Sequence, residues 1–490
     1  MSFWPELSAA VQHAVQLLYG WILLLVLIHQ FVPNWKRFFL SDRWGGYARS
    51  GPLADLLLNP FISPLLGIAW ASCAVALVSD WHPVVASFAN LILCHYFFVA
   101  SRWRSVLRGF GAPGFMTYWL GSAVFLLALT RCAAPAVQPL AVLFLQVDIA
   151  LIVFSAGLYK FRSGYARGEG MDYGLVNPMW GYRPKFFRRL PVDRKIFFLF
   201  NQSAWVSQLV GAALMLMPAT RWLGGGLEIV TYLYIATQIR LGWLAEQMMV
   251  VGLLFFCVGT PPGDWFATHW PAPVVFGSPT SSGLVCIAPL LRVFLWFHLS
   301  LTMLCHAGLF YNFYGRRRLP FPFQGALETY SNFFGIILWR VFSVDHLNFY
   351  VNIYRSSATE DGESARELLS EWQNPFNFRF WHVGEAITVT SLFTTLKYYP
   401  SNDALFRDRL IQYGRTLPCA RGQELVFEYL CIRKTAGHYE DRLACRYKFD
   451  PRVGQIRMEA IDPMCSPKMA HGTSPLHETA RPGSYAPKAT

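Results

Sequence analysis

Long apolar runs separated by short loops, with basic residues crowded into alternate loops, run through most of this 490-residue chain. A membrane-crossing helix needs about 20 mostly apolar residues to match roughly 30 Å of hydrocarbon. Runs of that kind lie at 8–33, 57–79, 83–100, 113–131, 136–159, 196–218, 222–239, 243–259 and 286–311. A shorter run, 329–343, reads as re-entrant, interfacial or a tenth span. The expected fold class is therefore an all-α polytopic bundle of about nine spans over residues 1–345. Composition agrees: 54% of residues are apolar, 16% aromatic and only 14% charged, against the roughly 25% charged residues that a water-facing surface uses.

The loops carry the orientation. Loop 34–55 holds Lys36, Arg37, Arg43 and Arg49, and loop 101–112 holds Arg102, Arg104 and Arg108. Loop 160–195 holds Lys160, Arg162, Arg167, Arg183, Lys185, Arg188, Arg189, Arg194 and Lys195. Arg240 and the Arg316-Arg317-Arg318 run fall on the same side, while the opposite loops show only Arg131 and Arg221. The positive-inside rule then makes the basic face cytoplasmic and puts the N-terminus outside, as in a multi-pass protein of a bacterial inner membrane. The formal net charge of +13 is read as topology and attraction to anionic lipid in the bilayer, not as nucleic-acid binding. Glu6 precedes the first run and no Lys or Arg does, so that run reads as a retained span and not a cleaved signal.

After residue 345 the pattern changes to that of a small α+β extramembrane domain over 346–460. Segments 359–372 and 402–413 read as helices, 386–397 as a strand, and 424–433 with 438–449 as a hairpin around Thr435-Ala436-Gly437. The tail 461–490, rich in Pro, Ser, Lys and His, reads as disordered. Ten cysteines include no CxxC pair, which leaves a metal or redox motif unsupported. Cys419, Cys431 and Cys445 are free thiols, or pair if their side of the membrane is oxidising. Loop 258–285 lacks Lys and Arg and carries Trp265, His269 and Trp270 among prolines, as a lid or a passive connector would.

Ionisable residues inside apolar spans are costly and point to function. Here they are His95, Asp148, Lys160, Glu228, Arg240, Glu246, Arg292, His298 and His306. Asp148 and Lys160 share one span but stand about 18 Å apart along it, so each needs another partner. Lys160 by itself reads as a snorkelling lysine at the basic face. Glu246 could pair with Arg240 or Arg292. His298 and His306 lie on nearby faces of one helix and, with His95, could touch a cofactor; no metal site is expected.

The stretch Ala150–Tyr173 resembles the vitamin K-dependent γ-carboxylase-like family, also called the HTTM (horizontally transferred transmembrane) family. Its mark there is the element Ala156-Gly157-Leu158-Tyr159-Lys160, followed by Tyr165 and Gly168. Thr237-Gln238 with Gly252–Cys257, and Leu338-Trp339-Arg340-Val341-Phe342-Ser343, are similar to two further family elements. The resemblance implies that Lys160 is the base that deprotonates a reduced, vitamin K-like quinone, with Asp148, Gln238 or Glu246 as orienting groups. Phe154, Tyr159 and Phe161 would line the quinone ring, and His298 and His306 would lie nearby. The other reading is a non-catalytic membrane subunit or assembly factor that docks protein partners through loop 160–195 and domain 346–460.

Overall fold

The computed structural model describes residues 4–101, 111–270, 287–339, 342, 344–358, 364–370, 372, 382–398 and 401–460. Helices dominate up to residue 334. Five of them are long and apolar enough to cross a membrane: Ala9–Phe38, Pro83–Ala100, Gly111–Ala133, Pro135–Arg162 and Ile287–Tyr314. A sixth candidate is the pair Leu244–Phe256 and Pro261–His269, bent by 102°. The expectation of nine spans is thus met by five or six. Helices stand at the other predicted runs, but Ile62–Val78 has 17 residues, and Lys195–Leu216 and Arg221–Gln238 are interrupted by Asn201, Gln202, Gln208 and Glu228. The helices used below are α1 (Ala9–Val26), α2 (Ile62–Val78), α3 (Pro83–Cys94), α4 (Gly111–Ala133), α5 (Gln138–Arg162), α6 (Lys195–Leu216), α7 (Arg221–Gln238), α8 (Leu244–Phe256), α9 (Pro261–His269) and α10 (Ile287–Tyr314).

Small residues let these helices approach closely, as they do where lipid supplies no hydrophobic drive between helices. A Cβ at Gly224 of α7 would lie 2.6 Å from the Met215 backbone nitrogen of α6, and one at Gly225 would lie 2.7 Å from the Gly252 carbonyl of α8. Polar side chains stitch the other half. Asn90 accepts from the Trp70 indole at 2.9 Å and donates to the Tyr19 hydroxyl at 2.8 Å, joining α3, α2 and α1. Two π-helical stretches, Leu27–Phe31 and His95–Ala100, extend α1 and α3. They meet through Phe31 and Phe97, and Phe97 stacks on Trp70 at 5.0 Å.

Of the short apolar run 329–343, only 329–334 are helical, as the end of a helix that turns back along α10. This helix, α11 (Phe321–Phe334), has 14 residues, about 21 Å, which is too short to span. Asn312 donates to Gln324 at 3.0 Å, and further down His298 bonds Tyr330 and packs on Phe334. Its last carbonyls, which no helix can satisfy internally, are met by side chains: His95 at the Phe333 oxygen (2.7 Å) and Tyr118 at the Phe334 oxygen (3.0 Å). Gly335, at φ +72°, ends it. The chain then runs back extended, with the Trp339 amide donating to Ser155 on α5. Arg340, Val341 and Ser343 of the third resemblance element lie outside the described residues.

The C-terminal part is an antiparallel five-stranded sheet in the order β2-β1-β3-β4-β5: β1 Phe349–Ala358, β2 Ser364–Leu368, β3 Gln423–Thr435, β4 His438–Asp450 and β5 Gln455–Ala460. Two helices, α12 (Val383–Tyr398) and α13 (Asp403–Arg415), accompany it. The hairpin and the 402–413 helix are as expected, with Gly437 at φ +96° in the turn. Two expectations fail. Segment 386–397 is helix, although its Thr, Val and Ile favour strands. Burial on several sides overrides that preference, and Thr388 and Thr394 return their hydroxyls to the carbonyls four residues back. Within the expected helix 359–372, Ser364–Leu368 is a strand paired to β1, while 359–363 lie outside the described residues, as do 461–490.

This domain packs on the basic loops. Arg37 pairs with Glu385 at 3.0 Å, Arg49 with Asp408, and Arg188 grips Asp441 through two nitrogens. Arg240, one of two candidate partners for Glu246, donates to the Trp372 carbonyl at 2.7 Å. A short helix that turns back before the domain leaves sheet and basic loops on one face. The described cysteines are all free. Of loop 258–285, residues 261–269 form α9, with Trp265 stacked on His269, and 271–285 lie outside the described residues.

Candidate functional site

Helix α5 carries both marked residues, and they serve two different clusters. Lys160 is buried and its ammonium donates to the Gln208 carbonyl oxygen at 2.7 Å. The Gln208 amide is 3.4 Å from the Tyr232 hydroxyl on α7. Glu228, also on α7 and 2% exposed, comes to the same stretch of α6, against Gly211 three residues beyond Gln208. Neither Glu228 oxygen has a hydrogen-bond partner. Space for that carboxylate comes from Gly211, where a Cβ would sit 2.7 Å from a Glu228 oxygen. Small residues thus bring α6 and α7 close, and the contact they make is what encloses the acid.

Two buried ionisable groups of opposite type have two low-cost states. They are an ion pair or a neutral amine beside a neutral acid; both hold the same number of protons and differ only in which group carries the shared one. Without direct bonding between the pair, the carboxylate has vacant acceptor sites and the amine has unused donors. From the neutral pair the amine can take a proton from a third group, and release of the acid's own proton then leaves the ion pair.

Asp148 faces the other way. Its carboxylate accepts from the Trp119 indole at 2.7 Å and lies 3.4 Å from His306 Nε2. His298 bonds Tyr330 and packs among Phe144, Phe294 and Phe334. The two histidines are eight residues apart, about 12 Å along the helix, and only His306 reaches Asp148. Among the described residues no group of three metal-ligating side chains forms.

The structure does not gather the rest of the expected set around Lys160. Gln238 bonds its neighbour Thr237 and lies ten residues beyond Glu228, about 15 Å along α7. Glu246 opens α8 with a contact of its own. Phe154 and Tyr159 pack toward α10, on Phe310 and Phe313, whereas Phe161 packs on Trp205 of α6. They do not form one ring-lining face. Gln208, Tyr232 and Gly211 were missed in the sequence. Gln208 was visible as a polar residue inside the run 196–218, at the position where a buried lysine on a neighbouring helix would need an acceptor.

Matched against family models, curated proteins and solved structures, the chain gives no match in any of the three.

Proposed function

We propose that this chain is a membrane enzyme resembling the vitamin K-dependent γ-carboxylases, a bundle of about nine spans with its N-terminus outside. In this reading Lys160 is a base acting on a lipid-soluble hydroxyl. The observation that carries it is the buried Lys160 beside a Glu228 carboxylate with no partner. A reduced quinone fits that donor set, because it would supply an acidic hydroxyl and a reductant. Lys160 in its amine form takes the hydroxyl proton, Gln208 orients the amine, and the quinolate anion left behind balances the new ammonium until Glu228 releases its own proton and becomes the counter-ion. The surrounding helices exclude water, which makes each of these charges count for more. Asp148 and His306, on the far side of α5, are left outside this step.

The alternative, a non-catalytic docking subunit, would use the basic loops for other proteins. Arg37, Arg49 and Arg188 are already engaged by the chain's own C-terminal domain, which weighs against it. The test is purification in gentle detergent, lipid mass spectrometry, and quinol-dependent oxygen uptake for wild type, Lys160→Met and Glu228→Gln. The expected result is a quinone and turnover in wild type, with turnover lost in a folded Lys160→Met. If folded Lys160→Met keeps turnover, or wild type binds no quinone and shows none, the reading fails.

A further inference from the structure

Between α10 and α11 the chain makes an exposed hexapeptide, Gly315-Arg316-Arg317-Arg318-Leu319-Pro320. It has lipid-facing surface on both flanks. The most apolar stretch of α10 is only 22% buried, with Phe297, Leu304 and Tyr311 turned outward. On the other side α11 opens with Phe321 and Phe323, 90% and 67% exposed. Aromatic rings so exposed, on a helix too short to span, belong in the boundary layer of a bilayer. Residues between two such flanks are held at headgroup level.

The hexapeptide is also strained. Tyr314 ends α10, yet the left-handed residue after it is Arg316 at φ +54°, not Gly315. A left-handed conformation costs an ordinary residue a penalty that glycine avoids, and such strain gathers at functional positions. Arg162 adds a fourth guanidinium: it donates to the Tyr314 carbonyl at 3.5 Å and lies 5.4 Å over that ring. Arg318 already has a contact within the chain, so the free charge rests on Arg316 and Arg317. The bilayer's basic-side surface offers one complementary group in quantity, the anionic headgroup, and guanidinium forks suit phosphate oxygens.

The geometry points to a binding site for an anionic phospholipid, with its phosphate on Arg316 and Arg317 and its acyl chains along Phe321, Phe323 and the outer face of α10. Arg162 flanks the phosphate from the end of α5. This site is independent of the Lys160 chemistry.

The full chain is reconstituted in nanodiscs of phosphatidylcholine containing a minority of phosphatidylglycerol. It is then released into mild detergent, and the retained lipids are counted by native mass spectrometry. Wild type is expected to keep phosphatidylglycerol in preference to phosphatidylcholine. Neutralising both arginines, Arg316→Gln with Arg317→Gln, should reduce that preference by roughly 25-fold, about fivefold for each charge. Arg189→Gln, which neutralises a basic-loop residue away from α10 and α11, should leave it unchanged. Equal retention of the two lipids by wild type, or an unchanged preference in the double variant, overturns the site. Displacement of the lipid by millimolar glycerol phosphate would make it a soluble-phosphate site and overturn it equally.

Discussion

Removing the Asp172 carboxylate should release the C-terminal domain from the bundle. Asp172 is fully buried in the short helix Met171–Val176. One oxygen accepts from the Gly170 amide at 2.8 Å and from Asn201 of α6 at 3.1 Å. The other accepts from the Tyr439 hydroxyl and pairs with Lys434, both at 2.8 Å. Lys434 and Tyr439 flank the turn between β3 and β4, so this single carboxylate ties the sheet hairpin to the bundle. Burial, then the neighbouring Asp172 charge, pushes the Tyr439 hydroxyl well up, so it stays a donor at neutral pH. Asp172→Ala leaves a buried hydroxyl and two amides without this acceptor, and leaves the partly buried Lys434 ammonium only the Gly168 carbonyl. Breaking a buried pair of this kind costs about 3–5 kcal/mol, which lowers the docking equilibrium by roughly 10²–10⁴. Hydrogen exchange of Gln423–Asp450 should accelerate by that factor while α5 and α6 keep their protection. Asp172→Asn, retaining shape and one acceptor, should lose less, about 1.5–3 kcal/mol. Unchanged hairpin protection in Asp172→Ala would refute the reasoning, since it would mean that the remaining ion pairs and apolar contacts hold the hairpin without this carboxylate.

Other perturbations separate the remaining interactions. Burial raises the Glu385 carboxyl, but Arg37 and the Tyr413 hydroxyl outweigh it and hold the group below its ordinary 4.5. Its contribution to docking should therefore be complete above pH 4.5 and vanish as pH falls through the lower folded value; an acid titration of hairpin exchange in wild type and Glu385→Gln would check this. Lys397 is buried beneath the sheet, donating to the Asp345 carbonyl and to Asn348. Burial, opposed by Asp345, lowers its amine below 10.5, so unfolded chain binds more protons in that window and stability should rise as pH climbs toward 10.5. Lys397→Met should flatten the rise in thermal melts. Gly211→Ala would meet a Glu228 oxygen at 2.7 Å, forcing the acid aside; turnover should fall while the fold survives. Gly224→Ala meets backbone at 2.6 Å and should instead cost about 1–3 kcal/mol of stability.

Much of the bundle was legible because hydropathy is a one-dimensional signal, and the apolar runs became helices almost wherever they were expected. Which helices are long and apolar enough to span was less legible. Gln208 and Glu228 lower the apolarity of α6 and α7 for a local reason, an enclosed polar site, that only packing reveals. Segment 386–397 misled for a related cause. Its β-branched residues speak for a strand when judged alone, but between sheet and bundle their hydroxyls find carbonyls within their own helix. Lys160 and Asp148 were rightly read as unable to pair, since rise per residue is fixed. Their partners come from 48 and 158 residues away in sequence, a distance over which no spacing rule operates.

The arginines of the early loops hold partners that are made last. Arg37 waits 348 residues for Glu385, and Arg49 waits 359 for Asp408. While the chain is being synthesised these side chains are solitary positive charges, the form in which they bias the direction of insertion. Once α12 and α13 emerge, the same charges become clamps. One set of residues is thus read twice in the life of the molecule, first by the inserting machinery and then by its own C-terminus.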